Sequence, residues 1–540
     1  MTTFIVAAIA ISPVWTLPQL ATYRPWIPGS PFPVVRALTP GGQSQLREDD
    51  RDGLVTEQAE SEASTHPIDE ASAAAGQADA GLGELLAASG ETAPASATAA
   101  PSTPAQLGVP ALRTDAPVTP ASASATATAP APVALSLGSN TAASALPSRA
   151  PGIATPLIDP DFRGMDSFYR GLAQNDGLVR AAHFGDSTIA ADGITSTIRR
   201  RLQARFGNGG PGYINAGTDP RWSSRPELAT KRSGDWSTKS ILLGGASGKY
   251  GYGGIVSTAS DGAYLVVHAP KAKDGTQVPM AHLELWHQTW EGAGGWWLSA
   301  DGADLAASTA NAPASDIVEA HDVDGGYTKV AFGASGAPVS FYGLVMETAG
   351  PGVVWDALGV IGVGTKSFNF QNPAHLERMV AQRKPDLIVM MLGGNELGYP
   401  IISKGDGSEY GAMYRKTLKL VRAGAPRASC LVLTPLDQGT RDDGEPRSKP
   451  ALPKMVRAQA RVAIEEGCAF WNSWAAMGGD GSIIRWAARK NPLAWTDLLH
   501  LSGAGLDIIG QLLSDAIEAD FEQWQAAGGT ARSVPAGASP

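Results

Sequence analysis

The sequence predicts an α/β protein built on a parallel sheet with helices on both faces, interrupted by an antiparallel, jelly-roll-like sandwich and preceded by a long disordered linker. Three observations predict it. Apolar runs of strand length alternate with amphipathic helical segments on both sides of the interruption, which is the pattern of repeated βα units. Between about Gly207 and Met346 the helical period disappears, and short alternating or β-branched runs separated by Gly, Asp, Asn and Pro replace it. From about Ser30 to Pro156 the chain is dominated by Ala, Pro, Ser, Thr and Gly and has almost no aromatic residues after Phe32. Such a stretch cannot bury enough apolar surface to offset its chain entropy.

Residues 1–26 read as an export signal or a membrane anchor. The apolar run from Phe4 to Ile11 continues to Leu17, short for a membrane span and closer to a signal core, although no Lys or Arg precedes Arg24. Residues 27–158 read as the linker, a stalk holding a folded domain away from a membrane. The formal net charge of −10 and the lack of a dense Lys/Arg run argue against nucleic acid as the partner. The two cysteines, Cys430 and Cys468, are too few for a disulfide scaffold and have no metal-ligand spacing. Each opens an apolar run. If these runs are neighbouring parallel strands, the two thiols meet at one end of the sheet, either free and buried or joined as a disulfide.

The folded part divides into residues 159–206, the sandwich at 207–346, residues 347–527 and a tail at 528–540. Asp161 to Ala173 carries Phe162, Met165, Phe168, Tyr169 and Leu172 on one helical face. Val179 to Phe184 is a buried strand that stops at Gly185-Asp186-Ser187, and Ile189 to Phe206 is the helix after it, with an Arg-rich face. Gly207 to Gly212 matches the spacing of a dinucleotide loop but follows a helix and contains Pro211, so that reading is discarded. The sandwich strands are expected at 263–268, 281–286, 328–332 and 339–346. A stretch this long exceeds an ordinary connection and should form a domain of its own. It holds Trp222, Trp236, Trp286, Trp290, Trp296 and Trp297, which are candidates for stacking on sugar rings or for its core. Strands then follow at 353–360, 387–392, 430–433 and 468–471, helices at 374–382, 410–423 and 454–466, and a last amphipathic helix at 503–524.

In parallel sheets, active sites gather at the C-terminal strand ends, where Ser187, Gly362 and Asn395 are all expected. A serine between a strand and a helix exposes its hydroxyl and leaves its own amide free, the two requirements of an acyl-transfer nucleophile. Gly-Asp-Ser is equally an ordinary turn and cap. Asp497 and His500, three residues apart before the last helix, let one turn set the carboxylate against an imidazole nitrogen while the other nitrogen faces Ser187. Asn395 and the backbone of Gly362 and Ser187 can supply hydrogen bonds to a developing oxyanion. No GxSxG elbow occurs, which argues against an α/β-hydrolase lipase.

These blocks, Gly185-Asp186-Ser187, the Gly362 turn, Gly393-Gly394-Asn395 and Asp497 to His500, occur in the order that the SGNH, or GDSL-type, hydrolase family shows them, and the chain resembles that family over 159–206 and 352–524. The resemblance implies a flavodoxin-like three-layer α/β/α fold, a Ser187-His500-Asp497 triad and an oxyanion hole of Ser187, Gly362 and Asn395, with no metal or cofactor. Relatives often carry Asn where this chain has Ile361, which leaves open whether Gly362 or Gly364 donates. With the segment from Ala469 to Gly479, the inserted sandwich is similar to the envelope branch that removes O-acetyl groups from peptidoglycan or related polysaccharides. There the insertion resembles a carbohydrate-binding module, with Trp296 and Trp297 as substrate-binding candidates. An exported carbohydrate O-acetylesterase is therefore expected, its partner an acylated polysaccharide, with a membrane tether through the N-terminus. An O-acetyltransferase with the same triad and a non-catalytic wall-binding protein are the alternatives.

Overall fold

The computed structural model describes residues 155–217, 223–242, 247–272 and 275–529. The export signal, the linker up to residue 154, Trp222 and the tail beyond 529 lie outside the described residues. Among the described residues no helix is long and apolar enough to cross a membrane.

Five strands form the central sheet: β1 (Leu178–Gly185), β2 (Gly352–Gly359), β3 (Leu387–Met391), β4 (Ser429–Leu433) and β5 (Ala469–Trp471). They run parallel in the order β2-β1-β3-β4-β5. That is the flavodoxin-like order, whose direction of winding reverses between β1 and β3. Strands β2 to β5 are buried along their whole length, because helices cover both faces. The six long helices are α1 (Asp166–Gln174), α2 (Gly193–Phe206), α3 (Pro373–Arg383), α4 (Ser408–Arg422), α5 (Leu452–Glu465) and α6 (Gly503–Ala526). Apolar residues of α3, α4 and α5 join Ala182, Phe184, Ile388, Met390 and Val432 in one core. Those of α1, α2 and α6 join Ala181, Trp355, Val389, Leu431 and Trp471 in the other. Alternate residues of each strand thus feed opposite layers.

The arginine-rich face of α2 has two fates. Arg200, Arg201 and Arg205 pair with Asp507, Asp515, Glu518 and Glu522 on α6, at the surface where such pairs contribute little. Arg199 is buried and bonds Asp192, Glu227 and the Trp355 carbonyl. The helix expected from Ile189 is broken: a short turn at Ser187–Ala190 ends at Asp192, which has φ 55°, and α2 starts at Gly193. Asp192 takes the Arg199 guanidinium at 2.7 Å, a buried partner that the break brings into reach. Residues before the expected boundary at 159 also pack on the sheet. Ile158 and Phe470 exchange backbone hydrogen bonds of 2.8 and 2.9 Å, which covers the free edge of β5.

The insertion is an antiparallel two-sheet sandwich. One sheet orders Ser315–Tyr327, Met280–Thr289, Val339–Glu347, Ile255–Ala259 and Trp236–Ser240, with Gly212–Asn215 also paired to Val339–Glu347. The other orders Thr230–Ser233, Tyr264–His268, Lys329–Ser335, Gly295–Ala300 and Ala303–Thr309. Leu265, Leu283, Leu298, Phe332 and Phe341 fill the space between them. The sandwich is not separate from the α/β layers: Tyr213, Tyr252, Trp286 and Tyr342 belong to the same core as Phe184, Leu358 and Phe368. At this junction buried Arg383 bridges Asp356 at 2.8 Å and Glu347 at 2.7 Å, and the Tyr213 amide donates to Asp356. Buried charges need this degree of pairing to offset desolvation.

Candidate active site

β1 ends at Gly185, and its register with Gly359 and Met391 brings the ends of β1, β2 and β3 together. Asp186 caps the turn that follows: its Oδ1 accepts the Thr188 N–H at 3.0 Å. Burial pushes the Asp186 carboxyl above its ordinary value, although that hydrogen bond opposes the shift. The turn fits against β2 only because residue 359 is glycine; a Cβ there would lie 2.0 Å from the Ala190 nitrogen. Ser187, first in the turn, keeps an N–H that no acceptor takes among the described residues.

The partner loop lies between residues 493 and 502, where Trp495 and His500 pair through backbone and Ser502 caps α6. Leu498 adopts φ 60°, a left-handed conformation that costs a non-glycine residue roughly 1–2 kcal/mol. Its side chain is buried and its carbonyl accepts the Gly439 N–H at 2.7 Å, so packing holds the turn closed. The fold over Leu498 brings Asp497 back onto His500. Asp497 Oδ2 lies 2.7 Å from His500 Nδ1, and Oδ1 accepts the amides of Leu499 and His500. His500 Nε2 is 3.1 Å from Ser187 Oγ. Burial alone would raise the Asp497 carboxyl, but the hydrogen bonds from His500 and the Leu499 amide outweigh it and hold it below its ordinary value. An ionised Asp497 keeps the proton on Nδ1, so that Nε2 accepts from the serine.

The second and third blocks flank this line. Gly362 has φ 78°, as its turn requires, and its N–H has no acceptor among the described residues. The Gly364 N–H is already donated to Ser367 Oγ at 3.2 Å, so of the two glycines Gly362 is the one with a donor to spare. Asn395 sits in a 3₁₀ turn, Gly394–Glu396, after β3 and gives one Nδ2 hydrogen to the Val363 carbonyl at 2.8 Å. The amide carries a second hydrogen, free for another acceptor. The GDSL-like Lipase/Acylhydrolase family model matches residues 325–508, a span that holds these two blocks and the Asp497–His500 loop. Among solved structures, a peptidoglycan O-acetylesterase is similar with a TM-score of 0.56 at 20% identity, over 68% of this chain and 99% of that one. Residues 325–508 are thus similar to the GDSL-like, or SGNH, hydrolases, and the fold is that of the solved O-acetylesterase. The chain's central parallel sheet with helices on both faces gives the α/β/α layers of that fold.

A family two carbohydrate esterase from Clostridium thermocellum is similar at 13% identity and a TM-score of 0.25, over 55% of this chain and 100% of that one. An acetylxylan esterase from Geobacillus stearothermophilus is similar at 23% identity and a TM-score of 0.24, over 31% and 73%. At those scores neither adds to the argument. No curated protein matches. The family match starts inside the sandwich, so the Ser187 block lies outside it.

The two tryptophan candidates separate. Trp296 points into the sandwich core against His287 and is 3% exposed, so the expectation that it binds substrate is not met: alternation along the strand turns it inward. Trp297 faces the other side of the sheet, half-buried, with its ring centroid 6.4 Å from that of Tyr264. Trp286 is fully buried, and Trp236 packs on Phe332 and Phe341. Cys430 and Cys468, on adjacent strand starts, form a disulfide. Among the described residues no group of three His, Cys, Asp or Glu side chains is placed to hold a metal ion. Glu396 and Thr365, which underlie the second and third blocks, were not singled out by sequence. The only signal was an acidic residue directly after Asn395.

Proposed function

We propose that this protein is an exported serine esterase that removes O-acetyl groups from a cell-envelope polysaccharide, peptidoglycan or one like it. The observation that carries the esterase chemistry is the chain Ser187 Oγ, His500 Nε2, His500 Nδ1, Asp497 Oδ2, with steps of 3.1 and 2.7 Å, beside unused N–H groups of Ser187 and Gly362. His500 takes the Ser187 proton as Oγ attacks the acetyl carbonyl. The negative oxygen of the tetrahedral intermediate is received by the Ser187 and Gly362 amides and by Asn395. His500 then returns the proton to the departing sugar oxygen, and a water activated by the same imidazole releases acetate from Ser187.

The acetylated polymer is supported by likeness in fold to a peptidoglycan O-acetylesterase along 99% of that protein's length. A half-buried Trp297 beside Tyr264 on the outer face of the sandwich offers a surface for sugar rings. Export is supported by the Cys430–Cys468 disulfide, since such bonds persist in oxidising compartments, and by the apolar N-terminal run with its Ala/Pro/Ser/Thr linker, the candidate membrane tether.

The test is acetate release by the full chain from O-acetylated peptidoglycan, O-acetylated xylan and an aryl acetate. Release from peptidoglycan and the aryl ester, lost in Ser187→Ala, is the expected result. Aryl-ester turnover with neither polymer cleaved would remove the polysaccharide; turnover surviving Ser187→Ala would remove the serine esterase.

A further inference from the structure

The oxyanion blocks rest on a buried polar network that the triad does not use. Glu396 follows Asn395 directly, and its side chain is 1% exposed. Its Oε2 accepts the Thr365 hydroxyl at 3.2 Å, while Oε1 has no hydrogen-bond partner among the described residues. The carboxyl lies so close beneath the second block that a Cβ on Gly364 would stand 2.8 Å from its Cδ and 2.9 Å from Oε1. Behind it, Thr365 Oγ1 is 3.5 Å from Tyr410 Oη, and Gln459 Nε2 donates to that Oη at 2.9 Å and to the Leu392 carbonyl at 2.8 Å. Thr417 Oγ1 ties down the Thr365 carbonyl at 2.9 Å. Asn395 and Glu396 therefore grip the same turn at Val363 and at Thr365, one on each side of Gly364.

We propose that Glu396 is a positioning residue of the oxyanion pocket, holding the Gly362–Thr365 turn so that the Gly362 N–H is presented to the acyl oxygen. The proposal rests on the Ser187 esterase reading above. Burial with one oxygen unpartnered costs the ionised carboxylate more than the neutral acid, so the site favours the neutral form. Burial pushes Glu396 up to about 7, and nearby Asp186 adds to the rise, against the Thr365 hydroxyl and the amides of Thr365 and Lys366. The other groups facing it are the hydroxyls of Tyr410 and Tyr414 on α4, whose own ionisation burial pushes far upward. Ionisation of Glu396 thus places a negative charge directly under the pocket that must receive another. Turnover should fall as pH rises through about 7.

Full-length wild type, Glu396→Gln and Glu396→Ala are compared on an aryl acetate between about pH 5.5 and about pH 9, with melting temperatures measured alongside. Glu396→Ala should lose roughly 10- to 100-fold in kcat at nearly constant KM, since the turn loses its support but not its substrate contacts. Glu396→Gln keeps the shape and the acceptor for Thr365, so it should recover most of that loss. It should also lack the alkaline fall that wild type shows, because it cannot ionise. Superimposable pH profiles for wild type and Glu396→Gln would overturn the proposal, and so would a Glu396→Ala enzyme with wild-type kcat per folded molecule. If the alanine variant does not fold, the comparison of the two profiles decides alone. Ser187→Ala in the same series keeps the two readings apart. Turnover surviving in it defeats the esterase site and this proposal with it, whereas an inactive Ser187→Ala beside a silent Glu396 series rejects Glu396 only.

Discussion

Replacing Asp497 by Asn separates the electrostatic role of this residue from its structural one. The carboxylate receives three hydrogen bonds: His500 Nδ1 at 2.7 Å on Oδ2, and the amides of Leu499 at 2.8 Å and His500 at 3.1 Å on Oδ1. Asn in the same rotamer keeps an oxygen for the two amides and sets its NH2 against Nδ1. Nδ1 must then accept, so the ring proton moves to Nε2, 3.1 Å from Ser187 Oγ. In that tautomer the imidazole offers the serine a donor where it needs a base. A wrong tautomer of this kind costs about 10⁴-fold in kcat, or about 5 kcal/mol of transition-state stabilisation at about 1.4 kcal/mol per factor of ten. Stability should hardly change, because both amide bonds survive; Asp497→Ala, which removes them, should cost about 1 kcal/mol for each. Initial rates on an aryl acetate and calorimetric melting of the same preparations measure the two quantities. An Asp497→Asn enzyme with more than about a tenth of wild-type kcat would show that Asp497 does not set the tautomer of His500.

Asn395→Ala should lower kcat by roughly 10²- to 10³-fold with KM little changed, as one of several oxyanion donors is lost; unimpaired turnover would take Asn395 out of the pocket. Replacing Cys430 and Cys468 together by Ala removes a cross-link with a sequence separation of 38. On the chain-entropy account a loop of that size is worth about 4 kcal/mol. The denaturant midpoint should fall while activity in the cold persists, because the bond lies at the strand starts, opposite the site; an unchanged midpoint would contradict this. Trp297→Ala should weaken binding of acetylated polysaccharide and leave aryl-acetate kinetics alone, and equal losses on both substrates would assign Trp297 a packing role instead.

How far the fold could be read in advance follows from the kind of information each element carries. The parallel strands were legible because burial on both faces leaves unbroken apolar runs, and Leu387 to Leu392 can scarcely be anything else. The first three blocks were legible because each sits where such a run stops, and the fourth because Asp497 and His500 stand three apart before the last helix. The break at Asp192 was not, since it depends on a salt bridge to Arg199 that only the folded helix brings near. The hairpin at 439–448, whose Gly439 N–H braces Leu498, was missed because its strands are short and polar. Alternation along Gly295–Ala300 required that Trp296 and Trp297 face opposite ways, yet which of them faces the core is decided by the partner sheet. Glu396 reads as an ordinary surface acid until its burial is seen.

The insertion point explains why a sandwich of this size does not disturb the chemistry. It leaves after α2 and returns into β2, and β2 is the neighbour of β1, so the chain re-enters the sheet beside the strand it left. What it adds is a wall behind the second block. The Gly248 N–H donates to the Phe370 carbonyl at 3.2 Å, and its own carbonyl accepts the Asn372 N–H at 2.9 Å. Phe368 packs on Phe184 within the core shared with Tyr252 and Trp286. The turn that carries Gly362 is therefore held from the sandwich side through residues 368–372 and from the third block through Asn395 and Glu396. An amide that must meet an oxyanion within hydrogen-bond distance needs such fixing on both sides, because a displacement of about 1 Å is enough to cost about 10²-fold in rate. The sandwich is thus part of the scaffold of the oxyanion pocket as well as the candidate surface for the polymer.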